Sequence, residues 1–235
     1  MCKILYQEEG NFHEGALMVV DKPLKWTSFD VVNKIRWCLK PVCGKIKVGH
    51  AGTLDPLATG VVVICTGKWT KRIEMYMAQE KEYLADIRFG AVTPSFDLET
   101  TPEGGYPYEH INSPYIEKVL RRFTGFIKQT PPAYSAIRVN GSRAYMKARK
   151  GSDLEMPGRE VFVKELEIMK MDMPDLRLRI NCGKGTYIRS LANDIGKACG
   201  SGAYLSWLRR IRCGEFRIGE ANKLDELIVF LQTKM

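Results

Sequence analysis

The chain has 235 residues, with 36 Lys and Arg against 27 Asp and Glu, a formal charge of +9. Hydrophobic residues at 45% beside 27% charged ones describe a globular chain of about one domain, not a disordered one. No apolar run exceeds five residues, far short of the ~20 of a membrane helix, and the opening MCKILYQEEGNF lacks the apolar stretch of a secretory signal.

Along the chain, ALMVV (16–20) reads as a buried strand. A helix is predicted to start near Thr27, with Asp30 three residues on in a capping box. VVVIC (61–65) is a second buried strand, and YLADIRF (83–89) alternates like a half-buried one. Residues 93–114, rich in Pro, Gly and acids, read as loop. A helix follows from Pro114, capped by Ser113 and closed by Gly125. Residues 131–158 mix turn formers with bases and are expected to be a mobile insertion that closes over a substrate. In LRLRINC (176–182), Leu176, Leu178 and Ile180 share one face while Arg177 and Arg179 take the other. Ile188, Leu191, Ala192, Ile195 and Cys199 follow helical spacing up to Gly200, and a last amphipathic helix fits 224–231. Strands and helices mix without a regular βαβ rhythm, so the fold class is α+β with a mixed sheet.

The positive charge is concentrated. Residues 31–54 hold five bases and no acid, residues 134–150 again five and none, and residues 177–217 nine bases against two acids. Interleaved with Trp37, Tyr134, Tyr145, Tyr187, Tyr204 and Trp207, these blocks point to a nucleic-acid surface. The seven cysteines are scattered, with no C-x-x-C pair, as in a protein of a reducing cytosol. GVVVICTGKW has the wrong glycine spacing for a P-loop and puts Trp69 where Ser or Thr would hold magnesium. GKGTYI and GSGAYL lack the third glycine of a dinucleotide loop, and His13, His50 and His110 are isolated, so no metal site is expected.

One segment carries more. Read blandly, Asp55-Pro56 is a turn or a helix start. Yet GHAGTLDPLATG (49–60) as a whole resembles the catalytic-aspartate motif of the bacterial tRNA pseudouridine-55 synthase family (TruB). DKP (21–23) with TS (27–28), KEY (81–83), PPAYSAIR (131–138), KGTYIRSL (184–191) and LRRI (208–211) resemble its other motifs, in order. The chain departs from the family at Lys25, where glycine is usual. It also leaves 18 residues after Arg217, too few for the small carboxy-terminal RNA-binding domain of many relatives.

The resemblance implies a pseudouridine synthase fold, with 1–235 as one catalytic domain and 131–158 as its RNA-binding insertion. It implies a cytoplasmic monomer that acts on the tRNA T loop without cofactor, guide RNA or membrane. Asp55 becomes the catalytic carboxylate, Tyr83 the aromatic floor under the flipped base and a proton acceptor, and Tyr187 and Leu208 further base contacts. His50 fills the space that the base vacates. Lys22 and Pro23 support the Asp55 loop, and Arg209, Arg210 and Arg212 contact phosphates. Arg189 falls near a predicted helix start, where the dipole disfavours a cation, so it needs an anionic partner. The resemblance makes that partner Asp55. Two other readings stay open. One is a tRNA-binding or folding protein whose role is binding rather than chemistry. The other is a guide-RNA-dependent subunit of the archaeal and eukaryotic branch.

Overall fold

The computed structural model describes residue 4 and residues 6–7, 11–135, 138–139, 142–144 and 156–233. They form two compact units: Met1–Tyr83 with Leu208–Met235, and Leu84–Trp207. Strands pair mostly antiparallel with parallel pairs among them, and helices flank them, so the fold is α+β with a mixed sheet.

In the first unit, β1 (Tyr6–Gln7) pairs with β2 (Ala16–Lys22), whose residues 16–20 are wholly buried. Burial on both faces explains the unbroken apolar run. α1 (Ser28–Cys43) starts with the predicted capping box: Thr27 Oγ1 accepts from Asp30 N at 3.0 Å, and Asp30 Oδ2 accepts from Thr27 N at 2.8 Å. Its Val31, Val32, Ile35 and Leu39 are buried at helical spacing. β3 (Val48–Ala51) leads through residues 52–57 into β4 (Ala58–Thr66). β4 gives one edge to β2 and shares the other between β3, at residues 63–66, and a returning strand, at residues 58–60. α2 (Ile73–Ala78) follows a 3-10 stretch whose Trp69 joins Leu17, Val19, Val61, Val63 and Phe216 in one core cluster.

β5 (Lys81–Phe89) opens the second unit from Leu84 on, and alternates as predicted: Tyr83, Ala85, Ile87 and Phe89 are buried, Arg88 exposed. β6 (Ala91–Val92) and β7 (Glu103–Gly104) pair across the predicted loop. α3 (Ser113–Arg121) carries Pro114 in its first turn, but its cap differs from the expected Ser113. Asn112 is extended and its Oδ1 accepts from Tyr115 N at 3.1 Å, while Ser113 is already helical and bonds Glu117. The helix also ends at Arg121, and Gly125 instead starts β8 (Gly125–Gln129).

β9 (Arg138–Val139) and β10 (Ser142–Arg143) pair with each other. Tyr145, Lys147, Arg149 and Lys150, and with them much of the expected mobile insertion, lie outside the described residues. β11 (Arg159–Asp172) runs between β8 and β12 (Asp175–Cys182). Leu176, Leu178 and Ile180 of β12 are fully buried, and Arg177 and Arg179 exposed. α4 (Ile188–Ala198) buries the predicted stripe. It closes in a Schellman motif: Gly200, at φ 69, donates to Lys197 O at 3.0 Å, and Ser201 N donates to Gly196 O at 3.0 Å.

β13 (Ala203–Cys213) is the strand that meets β4, and from Leu208 it belongs to the first unit. There β14 (Phe216–Arg217) pairs with it, β15 (Asn222–Lys223) joins β2 in parallel, and α5 (Leu224–Thr233) packs on α1. Cys38, Cys65, Cys182, Cys199 and Cys213 are buried and form no disulfide, and burial pushes the Cys65 thiol up to about 12. Among the described residues no helix is long and apolar enough to cross a membrane.

Candidate active site

Asp55 lies in the turn between β3 and β4, and that turn is tied down on several sides. Leu54 N donates to Ser28 Oγ at 2.8 Å, from a buried serine in the first turn of α1. Lys25 N donates to Pro56 O at 2.8 Å. The Lys22 side chain, with 0% exposure, donates to Trp26 O at 2.5 Å, Pro23 O at 3.0 Å and Pro56 O at 3.4 Å. Burial brings its pKa down to about 8, against an opposing pull from the Asp55 charge. Arg210, 1% exposed, holds the other side through Gly52 O at 3.1 Å and Val61 O at 2.6 Å. The motif's last glycine is required there: a Cβ on Gly60, at φ +107, would fall 2.1 Å from Arg210 O.

His50 stands on β3 opposite Ile64, half-buried. Burial and the Arg210 charge lower its pKa against a Gly52 backbone hydrogen bond, so the ring is neutral at neutral pH. Leu208 is buried on β13 in register with Ala58, three residues beyond Asp55. Tyr83 is buried on β5 directly after two anchored residues. Lys81 donates to Met77 O at 2.5 Å and Gln79 O at 2.6 Å, and Glu82 is paired with Arg212 at 2.9 Å.

Of the arginines expected at phosphates, Arg210 departs from that expectation. Arg210 is not presented to phosphate, because its guanidinium is buried against backbone carbonyls of its own unit. Arg209 is held by Asp21 at 2.6 Å and by Thr59, and Arg212 by Glu82. Partially desolvated arginines in such pairs position strands.

In the second unit, Arg189 sits in the first turn of α4 with 3% of its side chain exposed. Inside this unit an anion answers the unfavourable helix dipole: Asp97, itself buried, at 3.4 Å. Ser95 O at 3.3 Å and Tyr134 O at 3.2 Å accept further guanidinium protons. Tyr134 belongs to PPAYSAIR, so two of the sequence motifs meet here. Tyr187 is fixed from two directions. Its N–H donates to Gln129 Oε1 at 2.8 Å, and its carbonyl accepts from Gln129 Nε2 at 3.1 Å. The Arg159 guanidinium lies 4.7 Å over its ring. Gln129 and Arg159 are themselves cross-strand partners on β8 and β11.

The structure thus gathers Lys22, Pro23, His50, Leu208 and Arg210 about the Asp55 turn, and Tyr187 and Arg189 about the start of α4. Asp97, Gln129 and Arg159 escaped the sequence reading. Gln129 had a signal, since it stands two residues before PPAYSAIR. Asp97 had none, because nothing in SFDLET distinguishes a buried carboxylate from the acids around it.

Residues 40–188 match the family model described as TruB family pseudouridylate synthase (N terminal domain). A protein of Phocaeicola vulgatus named tRNA pseudouridine synthase B is 54% identical over 217 residues, covering 92% of each chain. One of Parabacteroides distasonis with the same name is 50% identical over 224 residues, covering 94% of this chain and 95% of that one. Among solved structures, the crystal structure of a Cbf5-Nop10-Gar1 complex contains a chain with 29% identity and a TM-score of 0.72. It is matched over 96% of this chain, which spans 56% of that one. With a family model over more than half its length, and relatives of this identity along nearly all of theirs, the chain belongs to the TruB family of pseudouridylate synthases and is an isomerase.

Proposed function

We propose that the enzyme converts uridine 55 in the T loop of tRNA to pseudouridine, with Asp55 as the catalytic carboxylate. The observation that carries this reading is the Asp55 turn. A loop held by Lys22, the Lys25 backbone, Ser28 and Arg210 is a loop whose one carboxylate must be placed accurately. The names of the relatives, tRNA pseudouridine synthase B, supply the RNA.

The reaction breaks the bond from C1′ to N1, turns the uracil, joins C5 to C1′, moves a proton off C5 and places one on N1. A carboxylate can serve it as glycosidase carboxylates do, by attack or by stabilising a cationic sugar carbon. Arg189 is the guanidinium that keeps Asp55 ionised, since a neighbouring cation favours the charged carboxylate. Flipping the base out of a folded loop costs a few kcal/mol, and stacking on an aromatic ring returns about 1–3 kcal/mol. Tyr83 is that ring, and its oxygen accepts the C5 proton. Tyr187 and Leu208 hold the base, and neutral His50 fills the gap left in the RNA. The enzyme works as a monomer without guide RNA.

The test is to incubate unmodified tRNA transcripts with wild type and Asp55→Ala, then map pseudouridine by carbodiimide labelling and primer extension. A new stop one nucleotide 3′ of position 55 with wild type alone is expected, with tRNA affinity of the variant within a few-fold of wild type. Folded wild-type protein that modifies none of several tRNAs would falsify the reading. Full rescue of a deletion strain by Asp55→Ala would leave binding as the role that matters in the cell.

A further inference from the structure

The exposed face of α1 is not explained by the fold. Lys25, Trp26, Asp30, Asn33, Lys34 and Trp37 line an open pocket of about 430 Å³. Trp26 stands just before the Thr27 cap and Trp37 in the third turn of α1, and both line this pocket. Trp37 is 76% exposed, and Lys40 approaches its ring to 6.0 Å. Exposed and half-buried aromatic rings gathered at one open pocket, rather than scattered singly, mark a contact surface.

The charge on this face says what covers it. Between Lys22 and Leu54 the sequence has one acid, Asp30. Its carboxylate is occupied by Thr27, accepting from the backbone N–H at 2.8 Å and from the hydroxyl at 2.6 Å. Lys25, Lys34 and Lys40 are exposed beside the two tryptophans. Rings that accept any base, bordered by ammonium groups, are the composition of a single-stranded nucleic-acid platform. Lys25 adds an independent point. It stands at φ 67, a conformation that suits glycine, so its side chain is kept against a backbone cost.

The pocket also adjoins the catalytic turn. Lys25 N bonds Pro56 O, and the Lys22 ammonium bridges Trp26 O and Pro56 O. We propose that this face binds the substrate RNA beside the target nucleotide, with a base stacked in the Trp26–Trp37 pocket and phosphates on Lys25 and Lys34. The inference rests on the reading of the substrate as tRNA and extends it to a second contact surface.

The experiment measures tRNA affinity by filter binding over a range of KCl concentrations. The proteins are wild type, Trp37→Ala, Trp37→Phe, Lys25→Gly and the double variant Lys25→Gly/Lys34→Ala. Trp37→Ala should weaken binding by about 5-fold or more, and Trp37→Phe should restore most of it. The double variant should flatten the slope of log K against log salt by about 1.5 to 2. Lys25→Gly should weaken binding while holding or raising the melting temperature, a combination that a structural lysine does not give.

Unchanged affinity and slope in Trp37→Ala and the double variant, with wild type still modifying tRNA, overturn the surface alone. Wild type that binds RNA through Trp37 but makes no pseudouridine leaves the surface standing and overturns the proposed reaction. Loss of self-association by Trp37→Ala in light scattering, at unchanged RNA affinity, makes the face a protein interface and also overturns the proposal.

Discussion

At Lys22 an ammonium is held out of water among three carbonyl oxygens, and its pKa falls from 10.5 to about 8 because burial outweighs the attraction of Asp55. Between pH 8 and 10.5 the unfolded chain keeps a proton on Lys22 that the folded chain has released, so this group's contribution to stability rises across that window. Below it the full cost, about 3 kcal/mol, is present. The unfolding free energy of wild type should therefore climb by up to that amount relative to Lys22→Met as pH rises through the window. A difference between the two that stays flat in denaturant titrations removes the argument. Asp97 and Arg189 make a different case, a buried acid and base set against each other at 3.4 Å. Replacing Asp97 by Ala removes the carboxylate that this unit sets against a guanidinium 3% exposed, and should cost about 1.5–3 kcal/mol along with most of the activity. A loss below about 1 kcal/mol would show that Arg189 does not depend on this carboxylate. Arg189 was legible in sequence because a cation at a helix start asks for an anion. Which anion answers it inside its own unit was not, because Asp97 is 92 residues away and resembles its acidic neighbours.

Elements were read best where burial has a period. β2, β4, β5 and β12 lie on the predicted segments because two-residue alternation, or unbroken apolarity, is a direct image of which faces are covered. α4 was equally clear, since its stripe ends on Gly200 and only glycine takes φ 69 without strain. The cap of α3 was misread because Asn112 and Ser113 are both good caps, and the choice depends on which backbone is extended. Asn112→Ala should therefore cost about 1 kcal/mol, and Ser113→Ala within about 0.5 kcal/mol of nothing, in thermal or denaturant unfolding. Equal losses at the two positions would contradict the assigned cap. The Gln129 clamp belongs to this scale too, because β8 is placed by β11 and Gln129 then reaches both backbone groups of Tyr187. Gln129→Leu takes the acceptor from the Tyr187 N–H at the N-terminus of α4, leaving its carbonyl only the bond from Leu191 N, and should lower the melting temperature by a few degrees. An unchanged melting temperature would mean that water replaces the clamp without cost.

For the whole molecule the informative number is the distribution of the +9 charge, not its sum. Binding to about six phosphates predicts a slope of log K against log salt of roughly −4 to −5, and a slope near zero would contradict a basic RNA surface. The structure narrows which bases can contribute: Arg210 is buried, and Arg209 and Arg212 are paired with carboxylates, whereas Lys25, Lys34 and Lys40 are exposed. The division into two compact units joins residues 1–83 to 208–235, through contacts such as Leu208 with Ala58. No local pattern marks a pairing across so long a separation. By itself the amino-acid order determined the fold class, nearly every principal element, the motif around Asp55 and the family, because periodicity and motifs are local and survive in one dimension. Only the tertiary structure decided which charges are sheltered, which are paired and which remain open to RNA. Those outcomes depend on partners 34 residues away for Lys22 and up to 158 for Arg210, and on the burial that raises the cost of leaving any of them unmatched.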